Sequence, residues 1–145
     1  MTSNLLANET MEAIGAVLTR SLGGAIMKIA EVRRFALSLP EVTEEPHFHF
    51  SSFRIRGRIF ATVPPGGSRL HVLVGETERD LMLAVAPRAY DKLWWGKKVV
   101  GLGVTLSRPG ARDVAELLHS AWHRRAPRSV VRAHPVPPRR RGEKR

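Results

Sequence analysis

Three arginines at alternating positions, Arg54, Arg56 and Arg58, are the first residues whose type and spacing could support binding chemistry. Alternate residues of a strand share one face, so the guanidinium groups would line one surface of a β-hairpin, with Phe60 beyond the turn. Guanidinium groups suit phosphates, and an aromatic ring suits a stacked base. The alternative is the ordinary polar face of a one-sided sheet, covered by arginine stems.

The net charge of +11 is concentrated at the C-terminal end of the chain. Residues 124–145 hold nine basic residues against Glu143 alone, a net charge of +8, whereas residues 27–123 hold 14 basic and 10 acidic residues, a net charge of +4. An exposed cationic run attracts polyanions by releasing their counterions, although it can also serve only as a solubilising end. The predicted nucleic-acid-binding residues are the basic ones of the hairpin, a lysine pair and the tail: Arg54, Arg56, Arg58, Lys97, Lys98, Arg128, Arg139, Arg140 and Arg141.

Histidines and tryptophans form the other candidate groups. His47 and His49 are two residues apart, with Glu44 and Glu45 just upstream, and such a set could bind a metal and support a metal-linked enzyme. Because no third ligand is identified beside the two imidazoles, no metal site and no cofactor are predicted. His119 and His123 have helical i, i+4 spacing and are expected to face solvent, away from the apolar stripe of their helix.

A candidate pocket could form near His47, Phe48 and Trp95. Trp94 and Trp95 could line a pocket or stack a base, and the alternative is that one of them covers the sheet edge. Neither a phosphate-loop pattern nor an ordered catalytic triad is present in the sequence, so we predict a protein without catalytic activity.

These residues need a scaffold, and the hydrophobic pattern predicts one. A helix starts near Ile29 and stops at Pro40, and an acidic turn follows over residues 41–46. Alternation then predicts a hairpin over residues 53–63 and a third strand over residues 70–74. Later segments are a helix over residues 76–85 with a buried stripe of Leu81, Met82 and Val85, a loop over residues 90–96, a strand over residues 97–106 and a helix through Val114 and Trp122. The predicted fold class is α+β, an antiparallel sheet of about four or more strands with helices on one face.

The length of 145 residues fits one domain with extensions. We expect an N-terminal extension over residues 1–26, partly helical or disordered, a folded domain over residues 27–128 and a disordered basic tail rich in proline and arginine over residues 129–145. The chain contains no cysteine, no signal sequence and no long apolar segment, so we expect a cytoplasmic protein away from membranes. A monomer is favoured.

An ordered set of residues carries a family likeness across about residues 27–128. The set comprises His47 and Phe48, the segment 52–61 with Gly57, the Trp95–Gly96 loop, and the helix with Trp122 that ends at Ala126 and Pro127. In this the chain resembles the MmcQ/YjbR family. The resemblance implies a frataxin-like two-layer α+β sandwich, and it implies DNA binding, which has been attributed to a double-wing surface in that family.

Two functions from different classes follow. The first is a non-enzymatic module that binds DNA or RNA through its basic surface and tail. The alternative is a protein-interaction or small-ligand module with no nucleic-acid role, in which the tail only solubilises the chain.

Overall fold

A computed structural model describes residues 26–134. Six strands form one antiparallel sheet in the order β1-β2-β3-β4-β6-β5. The strands are β1 (Val42–His47), β2 (Phe50–Ile55), β3 (Arg58–Val63), β4 (Arg69–Val72), β5 (Tyr90–Trp95) and β6 (Lys98–Thr105). The helices are α1 (Ile29–Ser38), α2 (Glu76–Val85), α3 (Ala111–Arg125) and α4 (Arg128–Ala133).

The helices pack on the sheet, and α3 is central to this layer. Helix α3 contacts α1, β3 and β4, and Glu78 of α2 lies against Ser120 of α3, so the three longer helices share one face. Phe53 and Phe60 of the sheet, with Trp122 of α3, are among the largest buried side chains. The indole Nε1 of Trp122 donates a hydrogen bond of 3.0 Å to the carbonyl oxygen of Pro40. The predicted α+β class with an antiparallel sheet is confirmed.

Both edge strands were missing from the sequence prediction. β1 was expected to be an acidic turn, and β5 was expected to be a loop. An edge strand is mostly exposed, so it shows little of the apolar alternation by which buried strands are recognised. Pro46 is tolerated in β1 because an edge strand can leave one side unpaired.

A β-bulge changes which residues of β3 face the helices. Phe53 pairs with Ala61 and Arg54 pairs with Ile59, which leaves Phe60 as the extra residue of the bulge. Phe60 is completely buried, whereas Ile59 is partly exposed. The prediction that Phe60 lies on the arginine face is therefore wrong.

Helix α2 has no fully buried residue. The exposed fractions of Leu81 and Val85 are 58% and 64%, whereas Met82 packs partly against the core. The prediction that Leu81 and Val85 are buried is therefore wrong. Helix α2 contacts β5 and β6 near the edge of the sheet. The sheet offers little surface there, so part of the apolar stripe of the helix stays uncovered.

The C-terminal part of the described chain is more structured than its composition indicates. Arg124 and Arg125, counted above with the tail charge, lie in the last turn of α3. Helix α4 then occupies the start of the segment assigned to the tail, and its Val130 is only 1% exposed. Residues 1–25 and 135–145 lie outside the described residues, and with them Arg139, Arg140 and Arg141. Within residues 26–134, no helix is both long and apolar enough to cross a membrane.

Candidate nucleic-acid interface

Two hairpin tips lie at the same end of the sheet. Arg56 and Gly57 join β2 to β3, and Gly96 and Lys97 join β5 to β6. Each step along the order β2-β3-β4-β6-β5 reverses the strand direction, so β2, β4 and β5 all run toward this end. Arg56, Gly57 and Gly96 have positive φ angles of 53°, 81° and 63°, which tight turns between paired strands require.

The two tips extend beyond the end of β4. Val72, the last residue of β4, pairs with Ala61 of β3 and with Leu102 of β6. Arg58 and Lys98, the first residues of β3 and β6, therefore lie roughly 10 Å further along their strands. Because β3 and β6 are both neighbours of β4, these two strands stand about 10 Å apart where they extend beyond β4.

Three arginines lie near enough to one another at this end of the molecule for their charges to interact. The Arg124 side chain reaches the start of α2, where its Nε lies 3.5 Å from the position that a Cβ on Gly75 would occupy. Burial and the neighbouring positive charges of Arg124 and Arg58 lower the pKa of Arg125, so the three guanidinium groups share one region. The Nε of Arg125 is buried without a hydrogen-bond partner in the described part of the chain. We call this group, Arg58, Arg124 and Arg125, the arginine cluster.

Among residues 26–134, the arginine cluster has no ion pair with a carboxylate. Like charges held together raise each other's free energy, and an anion that bound among them would remove this repulsion. Sequence reasoning missed Arg124 and Arg125 because they were counted with the tail. The stop signal at Pro127 could have placed them in the last turn of a helix.

The β5–β6 tip combines cations with aromatic rings. Lys97 and Lys98 are exposed, and Lys98 pairs with Trp95 across the hairpin. The exposed fraction of Trp95 is 74%. The Nζ of Lys92 lies 6.0 Å from the ring centroid of Trp94, so that ring already has a cation over it.

Two of the predicted hairpin arginines are occupied by intramolecular contacts. Arg56 forms two hydrogen bonds to the carboxylate of Glu41, at 2.7 Å and 3.2 Å, and this contact lowers the pKa of Glu41. Arg54 donates hydrogen bonds to Ser52 Oγ at 2.9 Å and to the Pro46 carbonyl oxygen at 3.3 Å. Both side chains are therefore less available to an external anion than Arg58, and Arg128 is exposed at the start of α4.

The structure does not bring together the residues of the predicted pocket. His47 and Phe48 lie at the β1–β2 turn, whereas Trp95 lies on β5, at the other edge of the sheet and at its other end. Phe48 is 88% exposed, and its ring lies against His47 with centroids 4.8 Å apart. A pocket that includes all three side chains is excluded by this separation.

His119 and His123 lie on α3 with ring centroids 6.3 Å apart. His123 is exposed, but His119 is partly buried beside Trp122, so the prediction that both face solvent is wrong for His119. Burial, followed by the nearby His123, lowers the pKa of His119 to about 4. In residues 26–134, no group of three or more histidine, aspartate and glutamate side chains could hold a metal ion.

The sheet face opposite the helices carries polar contacts that the sequence did not reveal. Arg69 of β4 and Asp91 of β5 form an ion pair of 2.7 Å, and His71 lies near Phe50 with ring centroids 5.9 Å apart. Burial lowers the pKa of His71, Arg69 lowers it further, and Asp91 opposes them. These pairs join strands far apart in sequence, so no local pattern could have found them.

Comparison with known proteins identifies the family. A family model described as YjbR matches residues 37–124, more than half of the chain, and the matched segment includes both hairpin tips. No curated protein and no solved structure matches the chain. The likeness to frataxins implied by the sequence resemblance therefore stays a prediction. The family resemblance itself is confirmed, and the chain belongs to the YjbR family.

Proposed function

We propose that this protein is a non-enzymatic nucleic-acid-binding module that contacts backbone phosphates with the basic end of its sheet. The observation that carries this proposal is the arginine cluster, in which Arg58 belongs to the β2–β3 hairpin tip and no member has an ion pair with a carboxylate in the described chain. Phosphate oxygens accept charge-assisted hydrogen bonds from arginine, and the duplex and single strands both offer them. Lys97 and Lys98 add positive charge on the β5–β6 tip.

Each basic group has a distinct role in this proposal. The arginine cluster and the β5–β6 tip fix the orientation of the bound strand, because they belong to the folded domain. Arg139, Arg140 and Arg141 add affinity through charge alone, and Arg128, exposed at the start of α4, adds a further positive charge. Arg54 and Arg56 contribute less, since their guanidinium groups already have intramolecular partners.

The test is a fluorescence anisotropy titration of the full-length protein with a labelled oligonucleotide at low and near-physiological salt. We compare Arg124→Glu with Arg112→Glu, a matched control at the opposite end of α3 whose side chain is also exposed. We expect Arg124→Glu to weaken binding by at least about tenfold and to reduce its salt dependence, and Arg112→Glu to weaken it much less. Equal losses for the two variants would contradict an oriented interface.

A second experiment separates the folded interface from the tail. Replacing Arg139, Arg140 and Arg141 with serine removes tail charge but leaves Val130 of α4 in the core. If the folded domain is an interface, this triple variant retains a measurable affinity that Arg124→Glu further lowers. If all affinity disappears with the triple variant at near-physiological salt, the binding arises from nonspecific charge and the proposal fails.

A second candidate function is a protein-interaction module. Leu81 and Val85 of α2 are exposed, and α2 contacts β5, which carries the exposed Trp94. An exposed apolar surface of this kind is typical of a site for another protein. This candidate is favoured if the full-length chain binds no oligonucleotide and if Leu81→Asp, which should be tolerated in an isolated domain, abolishes association with a copurifying protein.

A further inference from the structure

We propose that the nucleic acid is bound as a single strand, with one base stacked on the ring of Trp95. This inference depends on the proposed function, and it adds the class of ligand and the residue that selects it. It is drawn from the exposure of Trp95, its position in the hairpin and the charges around it.

Trp95 and Trp94 differ although they are adjacent in sequence. Side chains alternate along β5, and the cation–π contact between Lys92 and Trp94 places these two side chains on the same face. Trp95 therefore lies on the other face with Asp91, which reaches across the sheet to Arg69. Within the described residues, no aromatic ring stacks on the Trp95 indole and no cation lies over it.

An exposed indole at a hairpin tip contributes little to the stability of the fold, because its apolar surface stays in water. Stacking against a base would remove that surface from water. Lys98, directly across the hairpin from Trp95, and Lys97 in the turn would lie near the phosphates on either side of the stacked nucleotide. An aromatic ring flanked by lysines is the arrangement that sequence-independent single-strand binding uses.

The same geometry discriminates against a duplex. In double-stranded DNA both faces of each base are already stacked on neighbouring pairs, and a ring gains access only by forcing two pairs apart at a cost of a few kcal/mol. A single strand has base faces available without that cost. The arginine cluster lies on the helix side of the sheet, because Arg58 pairs with the buried Ile55 and the other two arginines belong to α3, so the bound strand would have to pass over this end of the sheet to place further phosphates there.

The experiment titrates the full-length protein with labelled oligothymidylate and with a labelled duplex of equal length, at one near-physiological salt concentration. The variants are Trp95→Ala, Trp95→Phe and the neighbouring control Trp94→Ala. We expect Trp95→Ala to weaken single-strand binding by about tenfold, Trp95→Phe to restore most of the affinity, and Trp94→Ala to change it by less than about twofold. Quenching of tryptophan fluorescence by oligothymidylate should shrink in Trp95→Ala only.

The outcomes separate this inference from the proposed function. If the protein binds both probes and loses affinity in Arg124→Glu but not in Trp95→Ala, the stacking inference is overturned and the phosphate interface stands. Tighter binding of the duplex than of oligothymidylate also overturns it. If neither probe binds the unaltered protein, both proposals are overturned. Circular dichroism of each variant establishes that a lost affinity does not come from a lost fold.

Discussion

Arg69 and Asp91 form their ion pair across an intervening strand. Arg69 lies on β4 and Asp91 on β5, and they pair with Thr105 and Gly103 of β6, which runs between them. Gly103 of β6 pairs with Asp91 and lies beneath the pair, where it contributes no side chain. Arg69 also donates a hydrogen bond of 3.0 Å to Thr105 of β6. The absence of a side chain at position 103 is therefore what allows the two charged groups to meet.

A Gly103→Ala substitution should break this ion pair. The new Cβ would overlap the Arg69 guanidinium and lie 2.9 Å from Asp91 Oδ1, so the flexible side chains must move apart. We expect a loss of up to about 1 kcal/mol in the free energy of unfolding, the range of partly exposed ion pairs. A urea double-mutant cycle with Asp91→Ala measures the coupling, and additive effects of the two substitutions would contradict this account.

Val130→Ala should destabilise the domain, because α4 inserts this side chain into the core. The lost methyl groups and the remaining cavity should lower the free energy of unfolding by about 2 kcal/mol. Val85→Ala is the matched control, since Val85 is exposed on α2 and its truncation should change stability by less than about 0.5 kcal/mol. Equal denaturation midpoints for the two variants would show that α4 does not contribute to the core.

Acidification should destabilise the protein through His119. The folded protein holds the pKa of His119 at about 4, below the ordinary 6.5, so the unfolded chain binds this proton first. The free energy of unfolding that depends on His119 remaining neutral is fully present above pH 6.5 and is lost as the pH falls toward 4. His71, whose pKa is also lowered, adds a contribution of the same sign.

Urea denaturation at several values between pH 7 and pH 4 measures this dependence. His119→Gln should flatten the decline, whereas His49→Gln, at an exposed turn position, should leave it nearly unchanged. Parallel curves for the unaltered protein and His119→Gln would mean that His119 titrates alike in the folded and unfolded chains.

Glu44 should stabilise the packing of α1 against β1. Its carboxylate accepts hydrogen bonds from Arg33 Nε at 2.8 Å and from Ser51 Oγ at 2.6 Å, and these contacts lower its pKa. Glu44→Gln should cost about 1 kcal/mol at neutral pH. Because a lowered carboxylate pKa stabilises the fold above the ordinary value of 4.5, the difference should vanish as the pH falls through the pKa of the folded protein. If Glu44→Gln still lowers the free energy of unfolding in acid, the effect comes from altered packing rather than from the lost charge.

The elements with strong periodicity were predicted correctly. The stripes of α1 and α3 recur at three to four residues and face one buried layer, and the Arg56–Gly57 turn follows from the flanking alternation. The edge strands were missed because β1 has no fully buried side chain and β5 has one, Tyr90, and it is the burial of alternate residues that creates the alternating apolar signal. The bulge at Phe60 changes which residues of β3 face the helices, and the alternation of residue types along the strand does not reveal such a change.

The candidate site depended more strongly on tertiary structure. The two basic tips could be predicted separately from the sequence. That they lie at the same end of the sheet follows only from the strand order, and the same order places His47 and Trp95 at opposite edges. The partners of Arg54 and Arg56 could not be predicted either, because Glu41 lies 15 residues from Arg56 and is brought near it only by pairing of β1 with β2.

The hydrogen bond from Trp122 to Pro40 also constrains how the chain is made. Its donor and acceptor are 82 residues apart in sequence, so it cannot form until nearly all of the domain has left the ribosome. Until α3 emerges, the sheet face that carries Phe53 and Phe60 is not yet packed against this helix. The nascent chain therefore exposes this aromatic surface to chaperones and to other nascent chains. Closure of the domain is thus a late event of synthesis, and a release of the chain before Trp122 would produce an aggregation-prone fragment rather than a smaller folded protein.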